Sequence, residues 1–287
     1  MNKKIKIGML SALGVAGGYG IYKLVAQAIW LHNYFQLTDY PVLSIKGSVL
    51  EDMDLKLIAH RGFRAVAPEN TVPAYVKAGE AGYWGAECDV YRTKDGVWVL
   101  HHDPYTYRMM GDVKNPEKCT YEELMKLTYK SGHNIAEYPD LKFARLEEFY
   151  EMCKKYNMHA VVEIKYDRSA AYMKELVDMA ERFGVDTTFI AFDFVNLVEL
   201  RKLTDAPLFF LVYDIKNSDI KKAKTLDNCG ISFDGNDKRN LKNDCEMVRK
   251  CRDAGLDTAT WAVDDLDLIK KIADTGTKFI TTNGITY

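Results

Sequence analysis

From Leu55 onward, short apolar runs alternate with stretches whose apolar positions return every three or four residues. The runs Leu55–His60, Gly85–Val90, Met158–Ile164, Thr188–Phe192, Leu208–Val212, Gly230–Phe233, Asp257–Trp261 and Lys278–Thr281 read as strands, being short, apolar and bounded by turn residues. Val97–His102 is a further short extended run. The helical spacing predicts helices over Val72–Ala81, Tyr121–Thr128, Leu146–Tyr156, Ala170–Phe183, Val195–Leu203, Leu241–Ala254 and Asp265–Ala273. Asn70 or Thr71 can cap the first of these, and Gly255 stands where a C-terminal cap belongs.

Strands alternating with helices across residues 55–287 predict an α/β fold, a parallel (β/α)8 TIM barrel. No G-x-G-x-x-G follows the first strand, which leaves a dinucleotide-binding sheet without support. Two irregularities qualify the pattern. Residues 95–145 are longer than a simple helical return, so a small insertion is expected after the second strand. After Thr281 the chain runs only to Tyr287, too short for the roughly three turns of an average helix. The outer face of the last strand then needs another cover. The nearest chain is the connector 32–54, with part of Trp30 to Leu50 (Leu31, Tyr34, Phe35, Val42 and Leu43) expected as apolar contacts.

Ahead of the barrel, Lys3, Lys4 and Lys6 precede an apolar stretch from Ile7 to Leu31 whose one charge is Lys23. A bilayer-crossing helix needs about 20 such residues. The expectation for 1–31 is an N-terminal hydrophobic helix serving as a single-pass membrane anchor, with a cleaved signal ending near Ala26-Gln27-Ala28 or a buried soluble helix as alternatives. The lysines before it and the absence of Lys or Arg from Leu24 to Ile45 place the barrel outside the cytoplasm, or secreted after cleavage.

Hydrophobic content of 47% and charged content of 28% are those of a globular protein. A net charge of −2 gives no global field for nucleic acid, so any anion site must be local. Six cysteines without a C-x-x-C pair suggest buried thiols rather than a zinc site or disulfide framework.

The chemistry-bearing residues gather at strand ends. His60 and Arg61 close the first strand. Glu87 and Asp89 share one face of "YWGAECDV", with Cys88 pointing the other way. Two neighbouring carboxylates repel unless a cation or a proton sits between them, though solvated loop acids would look the same. Glu163 and Lys165 repeat the device in "HAVVEIKY", where the plain alternative is a local ion pair. His101 and His102 close "VWVLHHD"; only one can face the barrel mouth, and Asp103 can orient it. Histidines at two strand ends, each near acids, suit a general acid and a general base. All-oxygen acidic ligands favour Ca2+ or Mg2+ over zinc.

In order and spacing, "AHRG", "PENT", "ECDVYRTKDG", "HHD" and "EIK" resemble the glycerophosphodiester phosphodiesterase family, over about Leu57 to Trp261. The resemblance implies a TIM barrel and a divalent cation, Ca2+ or Mg2+, held by Glu87, Asp89 and Glu163. It implies His60 and His102 as the acid–base pair, Arg61 and Lys165 on the phosphate, and Trp261 and Phe192 as substrate-binding aromatics. It implies hydrolysis of a glycerophosphodiester, or of a phospholipid headgroup linkage, to an alcohol and glycerol 3-phosphate. A lysophospholipase D-like lipid phosphodiesterase and an inactive membrane-tethered binding module are the competing functions. One departure stands out: the family has Asp and Pro just after the eighth strand, where this chain reads "FITTNGITY".

Overall fold

The computed structural model describes residues 40–166, 169–236 and 241–287. The apolar stretch 7–31, with its anchor, signal and helix alternatives, lies outside the described residues, as do Leu31, Tyr34 and Phe35. Among the described residues no helix is long and apolar enough to cross a membrane.

Eight parallel strands close into a ring: β2 (Lys56–Ala59), β3 (Gly85–Arg92), β5 (His159–Ile164), β6 (Thr187–Ala191), β7 (Leu208–Val212), β8 (Cys229–Asp234), β9 (Thr258–Trp261) and β10 (Phe279–Thr282). The pairing of β10 with β2 and of β2 with β3 completes the closure. β4 (Trp98–Leu100) runs antiparallel to the end of β3. The period of two sorts the side chains. Ile58, Val161, Ile190, Phe209, Leu211 and Ala259 fill the barrel. Leu57, Cys88, Val162, Phe189, Leu208 and Ile280 point outward and join the layer beneath the helices.

The helical layer comprises α1 (Val72–Glu80), α4 (Leu146–Tyr156), α5 (Ala170–Phe183), α6 (Phe194–Arg201), α7 (Asn217–Ala223), α8 (Leu241–Asp253) and α9 (Leu266–Ala273). Thr71, not Asn70, caps α1, its hydroxyl accepting from the Ala74 amide. α7 escaped the apolar pattern because "NSDIKKA" buries only Ile220 and Ala223. Between β4 and α4 the insertion carries α2 (Tyr107–Met110) and α3 (Tyr121–Met125). It has its own small core, where Met109, Met110, Leu124 and Phe143 pack against Tyr91 and Val99.

The seam beside β10 is covered by both ends of the unit Tyr40–Tyr287. β1 (Leu43–Ser44) pairs in parallel with β11 (Ile285–Thr286). Ile45, Leu50, Leu55 and Ile285 are buried with Ile280. The Tyr287 hydroxyl donates to Leu55 O and accepts from Leu57 N, both at 2.9 Å. The expected contacts need one correction: Val42 and Leu43 are 54% and 37% exposed. Leu43 is held through its backbone amide on Gly284 O, so the apolar cover comes from Ile45 and Leu50 instead. Leu50→Ala is therefore expected to cost about 2–5 kcal/mol, whereas Val42→Ala stays within about 0.5 kcal/mol. Urea unfolding of the two variants checks this; equal midpoints would show that Leu50 does not hold the seam.

Candidate active site

The C-terminal strand ends carry the chemistry. In the β3/β5 register Asp89 lies beside Glu163, and Glu87 lies two residues below Asp89 on the same inward face. One oxygen from each of Glu87, Asp89 and Glu163 can be chosen so that all lie within 4.8 Å of one another. Glu87 Oε2 accepts from the Arg61 amide at 2.8 Å, while its Oε1 is buried without a donor. Asp89 Oδ2 accepts from Asn70 Nδ2 at 2.8 Å and faces Arg61 Nε at 3.2 Å. Its Oδ1 faces Lys165 Nζ at 2.7 Å, and Lys165 also bonds Glu163. Asn70, in the left-handed region at φ 55°, is the support of Asp89, with Oδ1 accepting from the Tyr75 hydroxyl and the Asp89 amide.

Burial, then Asp89 and Glu163, drive the Glu87 pKa well above the usual carboxylate range. Burial lifts Glu163 to about 7 against the pull of Lys165. Burial also works against the Asp89 anion, but Lys165 and Arg61 outweigh it and hold its pKa well down. A cluster that would rather keep a proton than three negative charges is a cluster with room for a cation. An unsatisfied Glu87 oxygen and hard oxygen donors fit Mg2+ or Ca2+.

Cationic groups ring the cluster. Glu69 gathers three of them: Arg61 Nη1 at 2.9 Å, Arg64 Nη2 at 2.6 Å and Arg108 Nη2 at 2.5 Å. Arg108 also bonds Asp103, which in turn accepts from His102 Nδ1 at 2.8 Å. With Lys165, four cations face the five carboxylates Glu69, Glu87, Asp89, Asp103 and Glu163, a single negative charge when all five are ionised, as they would be around a metal ion. A divalent cation turns that balance positive, the sign a phosphodiester anion requires. His60 Nδ1 lies 2.7 Å from Asn283 Oδ1. Burial and the nearby Arg61 lower the pKa of both histidines, His102 to about 4, so both are neutral at pH 7. His101 turns away into the insertion, buried against Phe143 and Tyr91.

Residues 60–286 match the family model described as the Glycerophosphoryl diester phosphodiesterase family. The chain belongs to this family. Glycerophosphodiester phosphodiesterase 1 of Mus musculus is 33% identical over 132 residues, 45% of this chain and 40% of the mouse protein. The Homo sapiens counterpart is 34% identical over 128 residues, 44% of this chain and 39% of the human one. The similarity thus spans less than half the length of these curated relatives. Among solved structures, an Oleispira antarctica phosphodiesterase in complex with the product sn-glycerol-3-phosphate superposes with a TM-score of 0.70 at 23% identity, covering 79% of this chain and 92% of that one. A glycerophosphodiester phosphodiesterase from Parabacteroides distasonis gives 0.65 at 25% identity, with 80% and 93% covered.

Beside the acids of this family member opens a cavity of about 800 Å³, lined on one side by His102, Glu163 and Lys165 and on the other by Phe192, Tyr213 and Val195. Phe192 meets Trp261 edge-on at 5.6 Å and Tyr213 at 5.4 Å. Phe192 and Trp261 are thus brought together at the mouth, and Tyr213 joins them unforeseen. Reading the sequence also missed Glu69, Arg64, Arg108, Asn283 and Asp264. Glu69 lies inside "PENT" and was legible as a motif; the others sit in loops or the insertion, with no periodicity to mark them.

Proposed function

We propose that this chain hydrolyses glycerophosphodiesters, releasing an alcohol and glycerol 3-phosphate. The observation that carries the reading is a buried three-carboxylate cluster flanked by Arg61, Lys165 and two neutral histidines, in a chain matched to the family over residues 60–286. Glu87, Asp89 and Glu163 would hold one divalent cation, which supplies Lewis-acid polarisation of a phosphoryl oxygen. That cation would leave Lys165 free of two acids to meet the phosphate, with Arg61 beside it; both reward the negative charge that grows on the oxygens in the transition state. One histidine takes the proton of the attacking oxygen and the other gives a proton to the departing alkoxide; water attack gives glycerol 3-phosphate directly, whereas attack by the neighbouring glycerol hydroxyl gives a cyclic phosphate that water then opens. His102 is held for this by Asp103, itself pinned by Arg108.

A second reading follows from the aromatic wall. Phe192 and Tyr213 are 40% and 67% exposed beside the acids. Open apolar side chains at a cleft favour a substrate whose glycerol carries an acyl chain, as in a lysophospholipase D-like reaction on single-chain lipids. Purified full-length protein, assayed with glycerophosphocholine and with lysophosphatidylcholine in Mg2+, in Ca2+ and in chelator, tests both. Cation-dependent release of glycerol 3-phosphate is the expected outcome. Release of lysophosphatidate alone would select the second reading, and turnover of neither substrate under any condition would overturn both.

A further inference from the structure

His60 is gripped from behind by residues that the reaction does not touch. Its Nδ1 lies 2.7 Å from Asn283 Oδ1, across the β2/β10 seam. Asn283 Nδ2 donates to Asp264 Oδ2 at 2.5 Å, and the Asn283 amide donates to Asp264 Oδ1 at 2.7 Å. Thr282 Oγ1 and the Gly284 amide donate to the same Oδ1, at 2.6 and 3.2 Å. Asp264, just beyond the end of β9, therefore accepts from four donors at the end of β10 and in the turn after it, and Asn283 is only 5% exposed.

We propose that Asp264, acting through Asn283, is a positioning residue that fixes His60 as the Nδ1–H tautomer and leaves the Nε2 lone pair bare for proton transfer. Donor and acceptor capacity decides the tautomer. An ionised carboxylate only accepts, so the Asn283 amide must turn its NH2 to Asp264. The same side chain then has only its carbonyl oxygen left for His60, and a carbonyl oxygen can pair with Nδ1 only if Nδ1 carries the hydrogen. The orientation of the amide is thus set by a residue that never meets the imidazole. The acceptor facing His60 is thus a neutral amide oxygen, with the negative charge one step back on Asp264. His102 differs in having the carboxylate of Asp103 directly on Nδ1.

The proposal rests on His60 being one of the acid–base pair, and the experiment separates the two claims. Protein labelled with ¹⁵N in its histidine rings is read by two-bond ¹H–¹⁵N correlation, with the His60 signals assigned by their loss in His60→Ala. The wild type is expected to show Nδ1–H. Asp264→Asn places an NH2 against Asn283 Nδ2, so the Asn283 amide flips, its NH2 faces Nδ1, and His60 becomes the Nε2–H tautomer. In that variant kcat falls by about 10²-fold or more, the size of a lost acid–base contribution, with KM little changed. The double variant Asp264→Asn with Asn283→Asp restores an acceptor for Nδ1 and a donor opposite it, and both the tautomer and kcat recover. Circular dichroism melts confirm that each variant is folded. An Nε2–H signal in the wild type, or an unchanged Nδ1–H in Asp264→Asn, overturns the positioning role whatever the activity. The expected tautomers with no effect on kcat would instead remove His60 from the chemistry.

Discussion

Glu87→Gln is expected to lower turnover by about 10³-fold while the barrel melts as before. The amide keeps the shape and the acceptor for the Arg61 amide, but takes one of three negative charges from the cluster. The loss follows from several kcal/mol of Lewis-acid stabilisation, at about 1.4 kcal/mol per decade of rate. Turnover near the wild-type rate in chelator would dismiss the cation altogether. A second readout is the pH dependence of cation binding. Glu163 holds its proton up to about 7 when folded, against an ordinary 4.5. The cation must displace that proton, so its affinity weakens as pH falls through about 7. For stability the sign is opposite in the chelated protein. There the folded state binds the proton more tightly than the unfolded chain, and stability from this group declines between pH 4.5 and about 7. With saturating cation the native carboxylate is ionised throughout, as it is in the unfolded chain above pH 4.5, so this group's pH dependence vanishes across the same window. Thermal melts at the two ends of this window should therefore differ through this group in chelator and lose that difference in saturating Mg2+; the same shift in both conditions would sink the cation site.

The histidines carry the other large effect. His60→Ala and His102→Ala should each lose roughly 10²- to 10⁴-fold in kcat. The double variant should fall little further, because residues acting as one unit do not add. Burial and Arg61 hold both imidazoles neutral well below pH 7, so at saturating cation a histidine acting as base stays available down to about pH 4 for His102. Its contribution is lost as pH falls through that value. If only one alanine variant is impaired, the reaction uses one histidine, and the partner belongs to the frame.

The acids were legible because strand geometry is periodic. Once Cys88 and Ile164 are assigned to the outer layer, Glu87, Asp89 and Glu163 must share the inside, and the register then sets Asp89 beside Glu163. Leu208–Val212, Leu146–Tyr156 and Ala170–Phe183 emerge with the bounds their apolar spacing predicts. What stayed hidden depends on partners remote in sequence. Asn283 lies 223 residues from His60, and Arg108 reaches Glu69 over 39. No local pattern records such a hydrogen bond. Asn70 was ambiguous between cap and support, because both uses require the same short polar side chain before a helix. The expected cover of β10 included Val42 and Leu43, but the two-residue ladder engages the Leu43 backbone and leaves both side chains exposed.

That ladder has a mechanical consequence. Leu43 is hydrogen-bonded to Gly284, the residue after the amide that steadies His60. The clasp joining β1 to β11 has only two residue pairs, Leu43 with Ile285 and Ser44 with Thr286. Tension applied to the chain ahead of residue 43 would therefore reach this weak fastening before it reached any barrel strand. Peeling it away would uncover Ile285 and slacken the turn at Asn283, while the ring of eight strands stayed shut.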